Sequence, residues 1–293
     1  MRHLIQTLID GVASGMIYGS LALALVLIHR ATRIPNFAQG EMAMLSSYIA
    51  WELIANGVPW AAAVAITLVV SMAGGYGLQR GLIRWVERGA HLTQVMVTLG
   101  VLMVVNGSVG LLWGYSPKTL DSPFPSGAVR IGGIVTSWQA IGMVLVTLGM
   151  LLLLYLLLSR SRLGLRLRAA AQNPTSARLA GIDVGRAYGI GWGLSAVVGA
   201  AAGVMVAPQT GLDPNFMFPV LLYAFAGATV GGFDSPGGAV LGGVLVGVVE
   251  ALTATYVGFI GTELSLTVAL VTIVAVLLVR PQGLFGRKEV ARV

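Results

Sequence analysis

Not one cysteine occurs in the 293 residues, so a disulfide framework, a thiolate nucleophile and a cysteine-based metal site are all excluded. Histidine is nearly as scarce. His3, His29 and His91 lie far apart, without the i, i+4 pairing of helical zinc sites. Charged residues make up 10% of the chain, against roughly 25% in soluble domains. So few charges cannot cover the surface of a water-soluble domain of this length. The two lysines, Lys118 and Lys288, follow no glycine-rich phosphate loop, which removes a Walker A nucleotide site. The G-x-S-x-G and H-E-x-x-H patterns are missing too, so hydrolase chemistry has no carrier. Neither a catalytic residue nor a metal or cofactor is implied.

What is abundant is apolar surface: 56% of residues are hydrophobic, and 40 are glycine. A bilayer core is crossed by about 20 mainly apolar residues in a helix. Nine stretches approach that: 4–28, 37–56, 59–79, 92–115, 138–159, 187–207, 216–232, 236–257 and 264–279. The 37–56 stretch contains Glu41 and Glu52, and 216–232 is short and holds Pro219, so either is a candidate broken or re-entrant helix. The expected fold is all-α: one membrane domain over 1–293, a polytopic bundle of eight or nine transmembrane or broken helices. The first stretch is too long for the apolar core of a signal peptide and reads as the first span.

The net charge of +7 then marks cytoplasmic loops rather than a nucleic-acid surface, since basic residues stay on the cytoplasmic side. Arg80, Arg84 and Arg88 crowd the 80–91 loop, and six arginines stand in 160–186 against Asp183 alone. Arg280, Arg287, Lys288 and Arg292 follow the last stretch. Even numbers of spans separate these segments, so all three can be cytoplasmic together. The Pro-, Gly- and Ser-containing 116–137 segment is then an irregular external loop. A full crossing by 37–56 puts the N-terminus outside; a re-entrant 37–56 reverses it.

Small-xxx-small faces recur at Gly11/Gly15/Gly19, Gly189/Gly193, Gly199/Gly203, Gly238/Gly242 and Gly243/Gly247. Such faces let helix backbones approach closely where lipid supplies no hydrophobic drive. They describe packing, not a site. Among carboxylates, Glu250 lies well inside an expected span, as a buried structural group or part of a pathway.

One polar passage stands apart, "RAAAQNPTSARLAGIDVGR" at 168–186. Asn173 suits a helix N-cap and Pro174 the first helical position. Thr175, Ser176, Ala177, Arg178, Leu179 and Ala180 make a turn and a half, and Gly181 sits where a left-handed stop belongs. Ile182 can pack back on that turn, and Asp183 can cap the next helix. Such a helix is either a connector or a docking knob for a cytoplasmic partner. A second passage, "IPNFAQGEM" at 34–42, places Asn36 as a cap before Phe37, with Gln39 and Glu41 in the first turns. A helix starting inside the membrane offers N–H groups to a carboxylate, while Glu41 favours an ammonium; the same residues would also serve simply to pack and anchor helices. "DPNFMFP" at 213–219 repeats Pro-Asn-Phe.

These passages resemble a known family, the permease subunits of ATP-driven branched-chain amino-acid importers, of the LivH type. "GVASGMIYGSLALALVLIHRATRIPNFAQGEMAMLSSYIA" (11–50), the 168–205 segment, "GGFDSPGGAVLGG" (231–243) and "RPQGLFG" (280–286) occur in the family's order. The length suits this type rather than the companion LivM type, which carries additional N-terminal sequence. The resemblance implies a multi-pass protein of the cell inner membrane, working with a LivM-type permease, two cytoplasmic ATPases and an external substrate-binding protein. It implies that Asn173, Pro174, Thr175, Ser176, Ala177, Arg178, Leu179 and Gly181 form the helix that couples to an ATPase groove. Other importer classes begin this element with Glu-Ala-Ala; Ala169-Ala170-Ala171 stands here, so no salt bridge comes from that position. Asn36, Phe37, Gln39, Glu41 and Glu250 are the candidates for the translocation path. The "RPQGLFGRK" segment reads as a helix stop at Pro281 followed by a basic anchor.

The expectation is therefore a non-enzymatic permease that moves branched-chain or related amino acids inward on energy from partner ATPases. A urea or short-amide importer is the nearest alternative. An ion-coupled secondary carrier, which would depend on Glu250, and a membrane scaffold belong to other classes; neither needs a docking knob.

Overall fold

The computed structural model describes all residues except Met1, Ile34, Arg88, Gly132, Gly133, 258–263, Pro281 and 287–293. The expected helix stop at Pro281 and the tail charges Arg287, Lys288 and Arg292 fall outside the described residues. All nine apolar stretches are helical. They correspond to α1 (Arg2–Thr32), α2 (Gln39–Ala55), α3 (Trp60–Leu78), α5 (His91–Trp113), α6 (Trp138–Arg160), α9 (Val184–Thr210), α10 (Met217–Gly231), α11 (Pro236–Tyr256) and α12 (Ser265–Val279). Between them lie the short α4 (Arg84–Val86), α7 (Arg162–Gln172) and α8 (Pro174–Leu179), and a π-helical turn over Gln79–Ile83 extends α3. Among the described residues, six helices are long and apolar enough to cross a membrane; α10 and the 266–279 part of α12 are apolar but shorter.

The chain forms two compact units. The first contains 1–26, 124–148 and 219–293; the second contains 27–123 and 149–218. In the first, α11 is held by glycine on two faces. A Cβ added at Gly11 would lie 2.8 Å from Val248 Cα, and one at Gly15 would lie 2.5 Å from Val244 Cα, so α1 and α11 touch backbone to backbone. On its other face, Gly238 and Gly242 meet Gly231 and Gly227 of α10. The Gly238/Gly242 face therefore serves α10 and the Gly243/Gly247 face serves α1. Ser235 accepts from the Gly238 N–H at 3.0 Å and caps α11, with Pro236 in the first helical position. The "QGLFG" segment turns back at Gly283 (φ 76°), and the Leu284 and Phe285 N–H groups donate to Val230 and Gly231 carbonyls at 2.7 and 3.2 Å. It thus satisfies carbonyls at the end of α10 that the helix itself cannot.

The 116–137 segment is less irregular than its composition suggests. β1 (Ala128–Ile131) and β2 (Ile134–Ser137) pair antiparallel, Ala128 opposite Ser137. Gln6 of α1 holds this hairpin through both its amide atoms, to Val135 O at 2.7 Å and from Val135 N at 3.0 Å. The sequence signal was Gly132-Gly133 between β-branched runs, a hairpin turn pattern, outweighed by the neighbouring Pro and Ser.

The second unit is built on α9. Its Gly189/Gly193 face takes Tyr76 and Met72 of α3, and its Gly199/Gly203 face takes Gln39, Ala43 and Ser47 of α2. Trp192 is fully buried on this helix and packs with Ile28 and Ile83. Contacts of Gln39 with Gly199 and of Ala43 with Gly203 show α2 and α9 running parallel.

Candidate functional site

The passage at 168–186 folds as its residues dictate. Asn173 Oδ1 accepts from the Ser176 N–H at 2.9 Å, and Pro174 opens α8. At the other end Gly181 takes φ 78°, the Gly181 N–H reaches Arg178 O at 3.0 Å and the Ile182 N–H reaches Ala177 O at 2.9 Å. Those paired bonds form a Schellman stop, which needs the left-handed backbone that glycine adopts without Cβ strain. Asp183 Oδ1 then accepts from the Arg186 N–H at 2.9 Å and caps α9. Ala177 is the inward residue of α8, packed in a cluster with Leu167, Ala170, Val184 and Ala187. Thr175, Ser176 and Arg178 face outward, and Leu179 is 88% exposed.

Residues 162–172 form a helix of their own, capped by Ser161 Oγ on the Gly164 N–H at 3.0 Å. In the sequence this stretch is part of the arginine-rich 160–186 loop. The signal for a helix was Leu163, Leu167 and Ala170 at i, i+4 and i+7. Ala169-Ala170-Ala171 thus belongs to α7, and Ala170 is fully buried.

The second group of candidate residues lies at the start of α2. Asn36 was expected to cap a helix starting near Phe37, but α2 starts at Gln39 and Ala38 occupies the cap position. The reason is local. Asn36 Oδ1 accepts from the Ala38 N–H at 3.1 Å in an Asx turn, while its Nδ2 donates to Gln39 Oε1 at 3.1 Å. Gln39 carries the connection onward: its Nε2 donates to Ser195 O at 3.2 Å and its Oε1 accepts from Ser195 Oγ at 3.0 Å. Ser195 stands eleven residues past the start of α9, about 16 Å along it at 1.5 Å per residue. So α2 begins inside the protein, and buried side chains satisfy its entry. Phe37 is half-buried beside them.

Glu41, 1% exposed, accepts from Asn106 Nδ2 of α5 at 3.2 Å. The same nitrogen reaches Pro214 O at 2.7 Å and Asn215 Oδ1 at 3.3 Å. Two amide protons cannot serve three acceptors fully. The result is a cluster rich in acceptors, whose unfilled capacity matches an ammonium or amide donor. Through Glu41 it also joins the 34–42 passage to the second Pro-Asn-Phe, 214–216. Asn106 was missed from the sequence; its signal was one carboxamide in the mainly apolar run "LMVVNGSVG". Glu250 belongs to the first unit, where it accepts from Tyr18 Oη at 2.7 Å, and Tyr18 stacks on Tyr223 at 4.4 Å. Asn36, Phe37, Gln39 and Glu41 belong to the second.

Residues 7–277 match the family model described as branched-chain amino acid transport system / permease component. A high-affinity branched-chain amino acid transport system permease protein, BraD of Pseudomonas aeruginosa, is 32% identical over 99% of this chain and 98% of its own length. The LivH permease protein of Escherichia coli K12 is 29% identical, with the same coverage of both chains. MglC of Escherichia coli K12, a galactose/methyl galactoside import permease protein, is 27% identical over 82% of this chain and 75% of its own. A multi-pass bundle with a polar helix entry buried in it, no nucleotide motif, and this end-to-end likeness lead to one conclusion: the chain belongs to the branched-chain amino acid transport system permease family, as a transport subunit and not an enzyme.

Proposed function

We propose that this chain is one of two permeases in an ATP-driven importer, passing branched-chain amino acids inward from an external binding protein. The observation that carries this reading is the likeness to BraD and LivH over 99% of this chain and 98% of their own length. The partners are a LivM-type permease, two cytoplasmic ATPases and the binding protein. The arginine-rich 160–186 segment, the 80–91 segment and the C-terminus lie in the cytoplasm, as the placement of basic residues favours.

α8 is the coupling element. It presents Thr175, Ser176, Arg178 and Leu179 to the ATPase, and its caps and buried Ala177 fix it to α7 and α9. Closure of the ATPases on ATP then reaches α9, and through Ser195 and Gln39 it reaches the entry of α2. Asn36, Phe37, Gln39 and Glu41 line the passage. The acceptors around Asn106 give the cargo's ammonium a transient partner.

Reconstitution of the complex tests this reading. Uptake of labelled leucine, driven by ATP and dependent on the binding protein, is expected; uptake of urea or galactose in its place would overturn the cargo assignment. Asn36→Leu removes both the Asx turn and the bond to Gln39. Leucine uptake should fall about tenfold or more, from two buried hydrogen bonds at ~1 kcal/mol each, with all subunits still co-purifying. Unchanged uptake would reduce the motif to packing. Glu250→Gln keeps an acceptor for Tyr18 and removes the charge; uptake should stay within about twofold, since an ATP-coupled permease needs no titrating group there. Abolished uptake with an intact complex would favour an ion-coupled carrier.

A further inference from the structure

The second unit holds a cavity of about 200 Å³ between α2, α3, α5 and α9. Its walls are aliphatic: Met42, Leu45 and Ile49 of α2, Val70 of α3, and Val101 and Val105 of α5. The polar side chains in the lining are Ser46 and Ser71, whose hydroxyls meet at 2.8 Å. Ser46 Oγ donates to Met42 O at 2.8 Å, so the proton between the two hydroxyls is that of Ser71. Each hydroxyl has one proton, and both are spent. The pair therefore offers the cavity lone pairs and no donor, and a carboxylate placed there would find nothing to bind.

The wall also touches the entry of α2, where Met42 meets Asn36. Met42 and Val105 are the chain neighbours of Glu41 and Asn106, and Asn36 Nδ2 lies 3.6 Å from Met42 Sδ. A cavity of about 150 Å³ with aliphatic and aromatic walls stays dry and takes benzene. One of this size and character suits a branched group of four or five carbons.

We propose that this cavity receives the aliphatic side chain of the cargo during passage, with the ammonium of the amino acid directed to the acceptors of Glu41 and Asn106. The inference rests on the functional reading above and assigns it a side-chain slot. Gly74 gives access to a test. It lines the cavity, and a Cβ added there meets no atom within 4 Å; at Gly75, next in the chain, a Cβ would lie 2.7 Å from Trp192 O. Position 74 accepts a side chain; position 75 does not.

Because the chain has no cysteine, Gly74→Cys introduces its sole thiol into the reconstituted complex. Labelling by a small membrane-permeant maleimide is read from the mass of this chain. Leucine at about ten times its half-saturating concentration should slow labelling about tenfold by occupancy. Alanine should protect less, and aspartate not at all. In parallel, Gly74→Leu should assemble normally and lose leucine uptake about tenfold or more, as filling an apolar pocket by a few methylenes does. Leucine uptake by the wild type with no protection of the introduced thiol overturns the slot and leaves the importer reading standing. Equal protection by aspartate, or a thiol shielded by added phospholipid alone, overturns it likewise. Failure of the wild type to take up leucine overturns the functional reading and the slot together.

Discussion

A permease carrying Arg178→Glu together with Leu179→Asp is expected to insert in the membrane normally and to lose its ATPase subunits. The fold of α8 does not use these two side chains. Its ends are set by Asn173 and Gly181, and its inward contact is Ala177. Leu179, 88% exposed, is a large apolar group with no packing partner of comparable size on its own helix. Arginine is among the residues enriched at interface hot spots, and truncating such an anchor costs ~2 kcal/mol or more. Reversing the charge and placing a carboxylate where Leu179 docks adds desolvation to the loss. Association should weaken about 30-fold at the least, by the 1.4 kcal/mol-per-decade rule. Co-purification of the ATPases, with titration of purified ATPase onto the reconstituted permease, measures it. Undiminished association would leave α8 as a connector.

Gly247→Leu should be strongly destabilising. An added Cβ would sit 2.5 Å from Gly15 Cα and close to Gly15 N, both backbone atoms of α1, so no side-chain rotation relieves the clash. The two helices must part, and their close approach is the packing on which association in lipid depends. Overpacking usually costs 1–3 kcal/mol; with rigid backbone on the far side, ~3 kcal/mol or more is expected. Gly237→Leu is the matched control, since a Cβ there meets nothing within 4 Å, and a change that disturbs no packed contact stays within about 0.5 kcal/mol. Thermal unfolding of the two variants in detergent checks the contrast. Equal stability would mean that α1 and α11 do not depend on the glycine contact.

The passage around α8 shows how far local chemistry reaches. Asn173, Pro174, Gly181 and Asp183 act on backbone groups within three residues of themselves, and each has the conformation that its side chain, or lack of one, favours. Asn36 shows where the same reasoning stops. The residue type permits a cap, but its carboxamide is shared between Ala38 and Gln39, and Gln39 is oriented by Ser195, far away in the chain.

By itself, then, the sequence determined the bilayer as solvent, the helical stretches, the caps of α8, and the faces on which helices approach. Hydropathy and short-range hydrogen bonding act within a single segment, so a segment is enough to read them. The tertiary structure alone decided which glycine face meets which helix: Gly243/Gly247 meets α1, Gly238/Gly242 meets α10, and Gly199/Gly203 meets α2. It also placed Asn106 between Glu41 and Pro214, and gathered aliphatic side chains around Ser46 and Ser71. Apart from the α10–α11 contact, whose glycines stand 7 to 15 positions apart, those arrangements join residues 25 to 200 or more positions apart. Every such glycine face has nearly the same composition, so the partner is chosen by complementary shape across the bundle, which no single segment contains.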